Sequence, residues 1–382
     1  MEKMQRKRKE AIDGANMANL SLYAKNLDSA IAKTRRDIIA QAKRFKNNTF
    51  ASVNGFVAEE VHIGAFNIDS AIKRSPLKAV EERFGNHGDY KILEAGKVIA
   101  SGEFKHYNVA HQTQNAMRGY GSRDLIGPKD QIEEIKKIAK KRFLKNSHTR
   151  PHVAKEHKTV LQKVTDRIKV KGVQSRPKTL KETKQITKKA LKGKVEIKEV
   201  MPDLSESVRA SFKSGAIEGA KSGTAIGGGV SLIYNSYLVG KGKKEIKEAA
   251  KDVLIDTAIS AADSTIKNAV GSAAKTASIH LAEKVGSSAA KSLLKSSAPV
   301  IVAVSMVEVA KDLYKYANGE MDGKQVAKNA VKTTATSAGG WAGAEAGALL
   351  GAAFGPAGAL IGGLIGGIVG SIGSSHLIEN VW

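Results

Sequence analysis

The chain has 382 residues, a formal net charge of +25 at pH 7 and a sequence pI near 9.9. This charge predicts a polyanionic partner, either nucleic acid or anionic lipid, and does not choose between them. The absence of cysteine excludes disulfide bonds, thiolate metal sites and cysteine nucleophiles. No continuous apolar segment follows the basic start of the chain, so the sequence predicts no secretory signal and a reducing, cytoplasmic compartment.

Residues 1–50 are predicted to form a basic helix. Apolar residues recur there at helical spacing, with lysine and arginine between them. The pattern is interrupted at Asn47, Asn48 and Thr49. A helix that packs on its own domain is favoured over an arm that binds nucleic acid.

The next segment mixes helical and strand patterns. Residues 56–72 place apolar side chains on one face of a predicted helix. Residues 89–107 predict a β-hairpin, with Glu94–Lys97 as its turn. Leu125 and Ile126 are predicted to form a third strand, and residues 130–143 the helix that follows it.

Acidic residues and one lysine in this segment carry a resemblance to a known family. Glu59 and Glu60 lie on the leading helix, and Asp89 opens the first hairpin strand. Glu103 and Lys105 form an E-x-K triplet on the second strand. This order resembles the PD-(D/E)XK nuclease superfamily. The resemblance implies a restriction-endonuclease-like α+β fold, with a small mixed sheet flanked by helices.

The spacing explains how these residues could share one metal site. Residues 103 and 105 are two apart on a strand, so their side chains face the same side, and the hairpin folds Asp89 back beside them. Asp89 and Glu103, with Glu59 or Glu60, are the expected ligands of Mg²⁺ or Mn²⁺. Lys105 is expected to orient or help deprotonate the attacking water and to stabilise charge on the phosphate. The alternative is a set of ordinary surface charges.

Several histidines offer weaker signals. His148, His152 and His157 could ligate zinc, but they lie in a lysine-rich segment, which favours solvated side chains instead. His62 and Asn67 follow Glu59 on the predicted helix. They are expected either to shape the mouth of the site or to satisfy the packing of the helix.

Residues 136–200 contain 22 lysines and arginines against 5 aspartates and glutamates. Apolar residues there are sparse, which predicts a solvated helix or a disordered connector. The same segment could contact phosphates, since it follows the nuclease-like residues directly. The two interpretations are compatible.

From residue 201 onwards, alanine, serine and glycine dominate and predict helices that pack closely. Gly215, Gly219 and Gly223 fall every four residues. Gly227–Gly229 lacks the following residues of a phosphate-binding loop and is interpreted as a helix break.

The last segment contains 30 uncharged residues between Glu345 and His376, with glycines again at four-residue spacing. About 20 apolar residues suffice to span a bilayer. The segment therefore predicts either one tilted span or two half-length helices bent at Gly355–Pro356. Membrane association of residues 338–375 is favoured over a buried soluble hairpin. Two tryptophans that flank the run, Trp341 and Trp382, fit a membrane interface.

Together these patterns predict five regions and a function. The regions are a basic helix (1–50), a nuclease-like domain (51–145), a basic linker (146–200), an Ala/Ser-rich helical region (201–337) and a glycine-zipper segment (338–382). The expected function is that of a metal-dependent nuclease or nuclease-derived nucleic-acid-binding protein, with DNA favoured over RNA. Such a protein would be a homo-oligomer at the cytoplasmic side of a bacterial inner membrane, in defence or on a mobile element. The alternatives are a pore-forming effector whose basic domain only senses nucleic acid, and a scaffold.

Overall fold

The structure is a computed structural model that describes residues 2–82, 88–121, 123–284, 288–351, 362–363, 366–367, 369–371 and 374. The chain divides into two compact units. Residues 27–203 form the first, here called the sheet unit, and residues 1–26 with 204–382 form the second, the helical unit. Helix α1 (Glu2–Arg44) supplies residues to both.

The sheet unit alternates helices and strands. After α1 they are α2 (Phe50–Ile72), β1 (Leu77–Glu81), β2 (Tyr90–Glu94), β3 (Lys97–Phe104), α3 (Ala110–Ala116), β4 (Asp124–Ile126), α4 (Ile132–Asn146), α5 (Pro151–Lys163), β5 (Val164–Thr165), β6 (Lys169–Val170), β7 (Val173–Gln174) and α6 (Leu180–Leu191). The predicted helix, hairpin, third strand and following helix are therefore confirmed, in the predicted order.

The main sheet of the described residues has five strands in the order β1-β2-β3-β4-β5. Strands β1, β2 and β3 are antiparallel, whereas β3, β4 and β5 are parallel. The parallel connections run through helices, α3 between β3 and β4, and α4 with α5 between β4 and β5. The small mixed sheet expected from the sequence is confirmed.

The turn between β2 and β3 follows from two residues. Ala95 has a φ of 49° and Gly96 a φ of 80°, so both central positions are left-handed. This is the backbone of a two-residue turn whose twist matches that of the strands it joins. The predicted turn at Glu94–Lys97 is confirmed, and it sets which residues of β2 and β3 face each other.

The two faces of the sheet are covered differently. On one face, Phe66 of α2 packs with Tyr90, Ile92 and Phe104 in a fully buried core. On the other, a second core is built around β4 and the helices that follow it. Since side chains alternate along a strand, Glu103 and Lys105 face away from Phe104 and its core.

The segment 146–200 is folded rather than a connector. It forms α5, α6 and three short strands, and its strand β5 completes the main sheet. Val160, Ile168 and Ile186 are buried, whereas many of the lysines are exposed. The alternative of a disordered connector was wrong, because the few apolar residues of this segment are buried against neighbouring elements. Helices α5 and α6, with their exposed lysines, agree with the alternative of a solvated helix.

The helical unit confirms the predicted helical C-terminal half. Its helices after α1 are α7 (Leu204–Gly240), α8 (Ile246–Ala282), α9 (Ser288–Lys295), α10 (Ala298–Ala317) and α11 (Gly323–Gly351). Residues from the first part of α1 join its core, where Met17 and Leu20 pack with Val300, Val304 and Trp341.

Helices α7 and α8 are antiparallel and approach each other backbone to backbone. A methyl group on Gly219 would lie 2.1 Å from the carbonyl oxygen of Ser264, and one on Gly223 would lie 2.4 Å from that of Ser260. Only glycine permits such contact. Gly227–Gly229 continues α7 without interruption, so the predicted helix break was wrong. Gly227 and Gly228 pack closely against side chains of α8, whereas Gly229 has nothing within 4 Å.

The C-terminal glycines pack in a similar way. A methyl group on Gly343 would lie 2.1 Å from the carbonyl oxygen of Gly366, and one on Gly347 would lie 2.0 Å from that of Gly362. The predicted bend at Gly355–Pro356 lies outside the described residues. Within the described part of the chain, no helix combines the length and the apolarity that crossing a membrane requires.

A cluster of charges around the buried Lys267, here called the helical-unit cluster, joins α1, α8 and α10. Its members are the lysines Lys9, Lys267 and Lys311 and the carboxylates Asp13, Asp263 and Glu308. Lys267 is only 1% exposed, and its ammonium nitrogen lies 2.5 Å from Asp13, 2.8 Å from Asp263 and 2.9 Å from Glu308. Three positive and three negative charges therefore balance.

Candidate active site

Asp89 lies at the point where the chain enters β2. Its N–H donates to the carbonyl of Gly102, 2.9 Å away, and its side chain accepts from the N–H of Phe104 at 2.8 Å. Gly88 precedes it with a φ of 94°, and a methyl group there would lie 2.8 Å from a carboxylate oxygen of Glu103. Glycine at position 88 therefore lets Asp89 and Glu103 lie close together.

Lys105 bridges the two carboxylates. Its ammonium nitrogen lies 2.9 Å from Oε2 of Glu103 and 3.5 Å from Oδ2 of Asp89. The same nitrogen stands 4.6 Å from the ring centre of Tyr120, a cation–π contact. The structure thus brings together the aspartate, glutamate and lysine that the hairpin predicted to converge.

Glu59 reaches the same cluster from α2. Burial, followed by the negative charge of Asp89, raises the pKa of Glu59 to about 8. The neighbouring Glu60 is buried, and its charge adds a smaller contribution to that pKa. At neutral pH much of Glu59 is therefore protonated, because burial disfavours its charged form and the charge of Asp89 adds to that effect.

Glu103 and Lys105 respond to their surroundings in different ways. Burial raises the pKa of Glu103 despite its hydrogen bond to Lys105. Burial alone would lower the pKa of Lys105, but the charges of Asp89 and Glu103 raise it above its ordinary value. Lys105 is therefore an ammonium ion at neutral pH, which suits it to stabilise a phosphate rather than to accept a proton.

Arg123 completes the arrangement, and the sequence reasoning missed it. Its guanidinium donates to Oε1 of Glu103 at 2.8 Å, so Glu103 is held by Lys105 on one oxygen and by Arg123 on the other. Arg123 directly precedes β4, which is parallel to β3. The sequence signal that could have indicated Arg123 is its place as a basic residue just before the predicted third strand.

The carboxylates provide the oxygen ligands that Mg²⁺ and Mn²⁺ prefer. In the structure, however, the ammonium of Lys105 lies between Asp89 and Glu103. Among the described residues, no set of three or more acidic or histidine side chains is grouped closely enough to hold a metal ion.

His62 and Asn67 have structural contacts. Asn67 donates to the carbonyl of Ala79 at 2.9 Å and accepts from its N–H at 2.8 Å, which ties α2 to β1. The ring of His62 is fully buried, with Nδ1 2.9 Å from the hydroxyl of Ser175. Burial lowers the pKa of His62 well below its ordinary value, so the ring is neutral.

The histidines of the basic segment match the predicted solvated side chains only in part. His157 is buried, with Nδ1 2.8 Å from the side-chain amide of Gln114, whereas His148 and His152 are exposed. The interpretation of a solvated side chain is therefore wrong for His157. An apolar residue at every third or fourth position of α5 places it on the buried face.

Comparisons with known proteins bear on the end of the chain. A family model described as C13G5.2-like, glycine zipper domain, matches residues 322–377. The C-terminal part of the chain carries a glycine zipper. The match covers α11 and the described residues that face it through Gly343 and Gly366. No curated protein and no solved structure gives a significant match to the chain.

Proposed function

We propose that the sheet unit is a metal-dependent phosphodiesterase that cleaves nucleic acid. The observation that carries the proposal is the convergence of Asp89, Glu103 and Lys105 on two adjoining strands, with Glu59 from the helix that precedes them. The order of helix, hairpin, helix and parallel strand supports a restriction-endonuclease-like fold for the same residues.

The proposal assigns a role to each side chain. Asp89, Glu103 and Glu59 would hold Mg²⁺ or Mn²⁺, which supplies an activated water and offsets charge on the phosphate. Glu59 would release its proton to solvent on binding a cation, because the added positive charge would lower its pKa. Lys105 would stabilise charge on the scissile phosphate, and Arg123 would keep Glu103 in place.

The charge of the protein supports a nucleic-acid substrate. The net charge is +25, and exposed lysines such as Lys155, Lys181 and Lys188 lie in the same unit as the site. Such residues bind phosphates without regard to sequence. DNA is the proposed substrate, with RNA as the alternative. Membrane association of residues 338–375, a homo-oligomer, an inner-membrane location and a role in bacterial defence or on a mobile element stay predictions.

The test is cleavage of plasmid DNA and of RNA by the full chain, with Mg²⁺, with Mn²⁺ and with a chelator. The wild type should cleave only with metal. Glu103→Gln and Lys105→Met should each lower the rate by about 10²–10³, the usual cost of losing a group that stabilises the transition state. Circular dichroism should remain unchanged.

Glu94→Gln provides a matched control. Glu94 lies on the same hairpin, but at its turn, where it pairs with Lys171 at 2.6 Å. This variant should cleave at the wild-type rate. Wild-type protein that is folded, binds nucleic acid and yet cleaves neither DNA nor RNA with either metal would overturn the proposal, as would full activity in Lys105→Met.

A further inference from the structure

The end of the α7–α8 pair differs from the rest of it. Near Gly219 the two helices touch through their backbones. Towards the connecting residues Lys241–Glu245, glycine gives way to larger side chains. There a groove of about 670 Å³ lies between the helices, lined mainly by Leu232, Val239, Ile246, Val253 and Leu254. Residues 232–254 are here called the hairpin tip.

The hairpin tip exposes large apolar side chains. Ile246 and Leu254, which line the groove, are 75% and 72% exposed. Ile233 (74%) and Tyr237 of α7 are exposed as well. Single exposed apolar residues are ordinary, but a group of them around an apolar groove marks an interaction surface. The glycine contacts hold α7 and α8 together, so the exposed apolar residues of the two helices keep a fixed position relative to each other.

Lysines border the apolar residues. Lys241, Lys243, Lys247 and Lys251 are exposed, and among the residues of the connection and of the first turns of α8 they outnumber the exposed Glu245 and Glu248. Lys244 is held differently, since it pairs with Asp252 and donates to Asn235. The border of the groove therefore carries a positive charge in excess.

We propose that the hairpin tip docks onto the surface of an anionic phospholipid bilayer. The apolar side chains would enter the boundary between headgroups and acyl chains, and the lysines would remain among the headgroups. Protein interfaces are depleted in lysine, whereas lysine around exposed apolar residues suits a lipid surface. Tyr237 is a side chain that favours the same boundary. The proposal depends neither on the nuclease activity nor on residues 338–375.

A single-cysteine probe tests the proposal directly, because the natural chain contains no cysteine. Ile246→Cys in the full chain is labelled with a dye whose emission shifts to shorter wavelength in apolar surroundings. It is then mixed with vesicles of phosphatidylcholine, with and without phosphatidylserine. The shift should occur with phosphatidylserine vesicles and should disappear in high salt, which screens the lysines.

Leu144→Cys is the matched control. Leu144 is 59% exposed on α4 and is flanked by Lys141 and Lys145, so it combines an apolar side chain with lysines but lies far along the chain from the groove. Its dye should not shift. An equal shift at both positions would indicate adhesion by charge alone and would overturn the proposal.

Variants without a dye give a second measurement, the fraction of the full chain that sediments with phosphatidylserine vesicles. Replacing Ile233, Ile246 and Leu254 by serine, or the four exposed lysines by glutamine, should lower the partition coefficient at least tenfold. Both variants should keep the wild-type circular dichroism, since the changed residues are exposed.

Two outcomes would overturn the proposal. The first is binding to both kinds of vesicle that neither variant changes, which would move the contact to another part of the chain. The second is loss of self-association in the serine variant with no vesicle binding by the wild type. In that case the groove is an interface between copies of this chain.

Discussion

Each unit contains a charge cluster, and the two clusters differ in the ratio of carboxyl groups to cations and in exposure to solvent. In the helical-unit cluster, three lysines meet three carboxylates, and Lys267 is sealed from solvent. In the sheet unit, Glu59, Asp89 and Glu103 face Lys105 and Arg123, and Asp89 is partly exposed. A balanced cluster around a buried lysine is complete as it stands, whereas a partly exposed cluster in which Glu59 keeps its proton can exchange that proton for another cation.

The pKa values follow this difference. Burial opposes ionisation of Glu308, but the charges of Lys267 and Lys9 lower its pKa, so it stays charged. Asp13 departs from this pattern, because burial outweighs Lys267 and raises its pKa. In the sheet unit, burial and Asp89 raise the pKa of Glu59 to about 8, and no lysine compensates fully.

The largest expected effect on stability comes from breaking the balanced cluster. Lys267→Met should lower the free energy of unfolding by about 3–5 kcal/mol, because it leaves carboxylates buried without their partner. Denaturant unfolding in a Trp382→Phe background, in which fluorescence reports Trp341 in the core of the same unit, measures this cost.

Lys311→Met is the control for that experiment. The side chain of Lys311 is 41% exposed, so solvent replaces much of its interaction and its loss should cost about 1 kcal/mol or less. Equal costs for the two variants would show that burial does not distinguish them, and the comparison between the units would lose its basis.

The second-largest expected effect is a change in stability with pH. Between pH 4.5 and 8 the folded chain keeps a proton on Glu59 that the unfolded chain has lost, so the contribution of Glu59 to the free energy of unfolding falls as pH rises. The loss is of the order of 1.4 kcal/mol for each unit of difference in pKa, a few kcal/mol at most. Hydrogen exchange of the slowest amides in β2 and β3 at several pH values should report it.

Glu59→Gln should remove this dependence, since glutamine does not titrate. Comparison with this variant also corrects for the intrinsic effect of pH on exchange. Mg²⁺ should flatten the dependence in the wild type alone, because it favours the charged carboxylate. Identical pH dependence in the two proteins would contradict the assignment of the buried proton to Glu59.

Much of the site could be predicted from the sequence because it depends on short-range patterns. The E-x-K spacing and the Ala95–Gly96 turn determine how Glu103, Lys105 and Asp89 meet. Arg123 could not be predicted, since its contact requires the parallel pairing of β3 and β4.

The folding of residues 146–200 was missed for a similar reason. The number of lysines in this segment does not reveal that β5 can pair with β4 at the edge of the main sheet. The helical-unit cluster also lay beyond sequence reasoning, because Lys267 and Asp13 are 254 residues apart. Such contacts depend on packing between distant segments rather than on local pattern.

The smallest expected effect is a difference in stability between alanine substitutions at two glycines of α7. Gly219→Ala should destabilise the helical unit by about 1–3 kcal/mol, because its methyl group would collide with the backbone of Ser264. Gly229→Ala meets nothing within 4 Å and should stabilise α7 by up to about 1 kcal/mol. Fluorescence of Trp341 during unfolding, in the same Trp382→Phe background, measures both, and shifts of the same sign would contradict the packing of α7 on α8.

The helical unit is discontinuous in sequence, and this has a consequence for synthesis on the ribosome. Residues 27–203 are complete before any of residues 204–382 has been made, so the sheet unit can fold first. Met17 and Leu20, which pack against Val300 and Trp341 in the finished protein, must wait unpaired until then. During that interval the apolar side chains of the first part of α1 are exposed on the nascent chain, where chaperones can bind them.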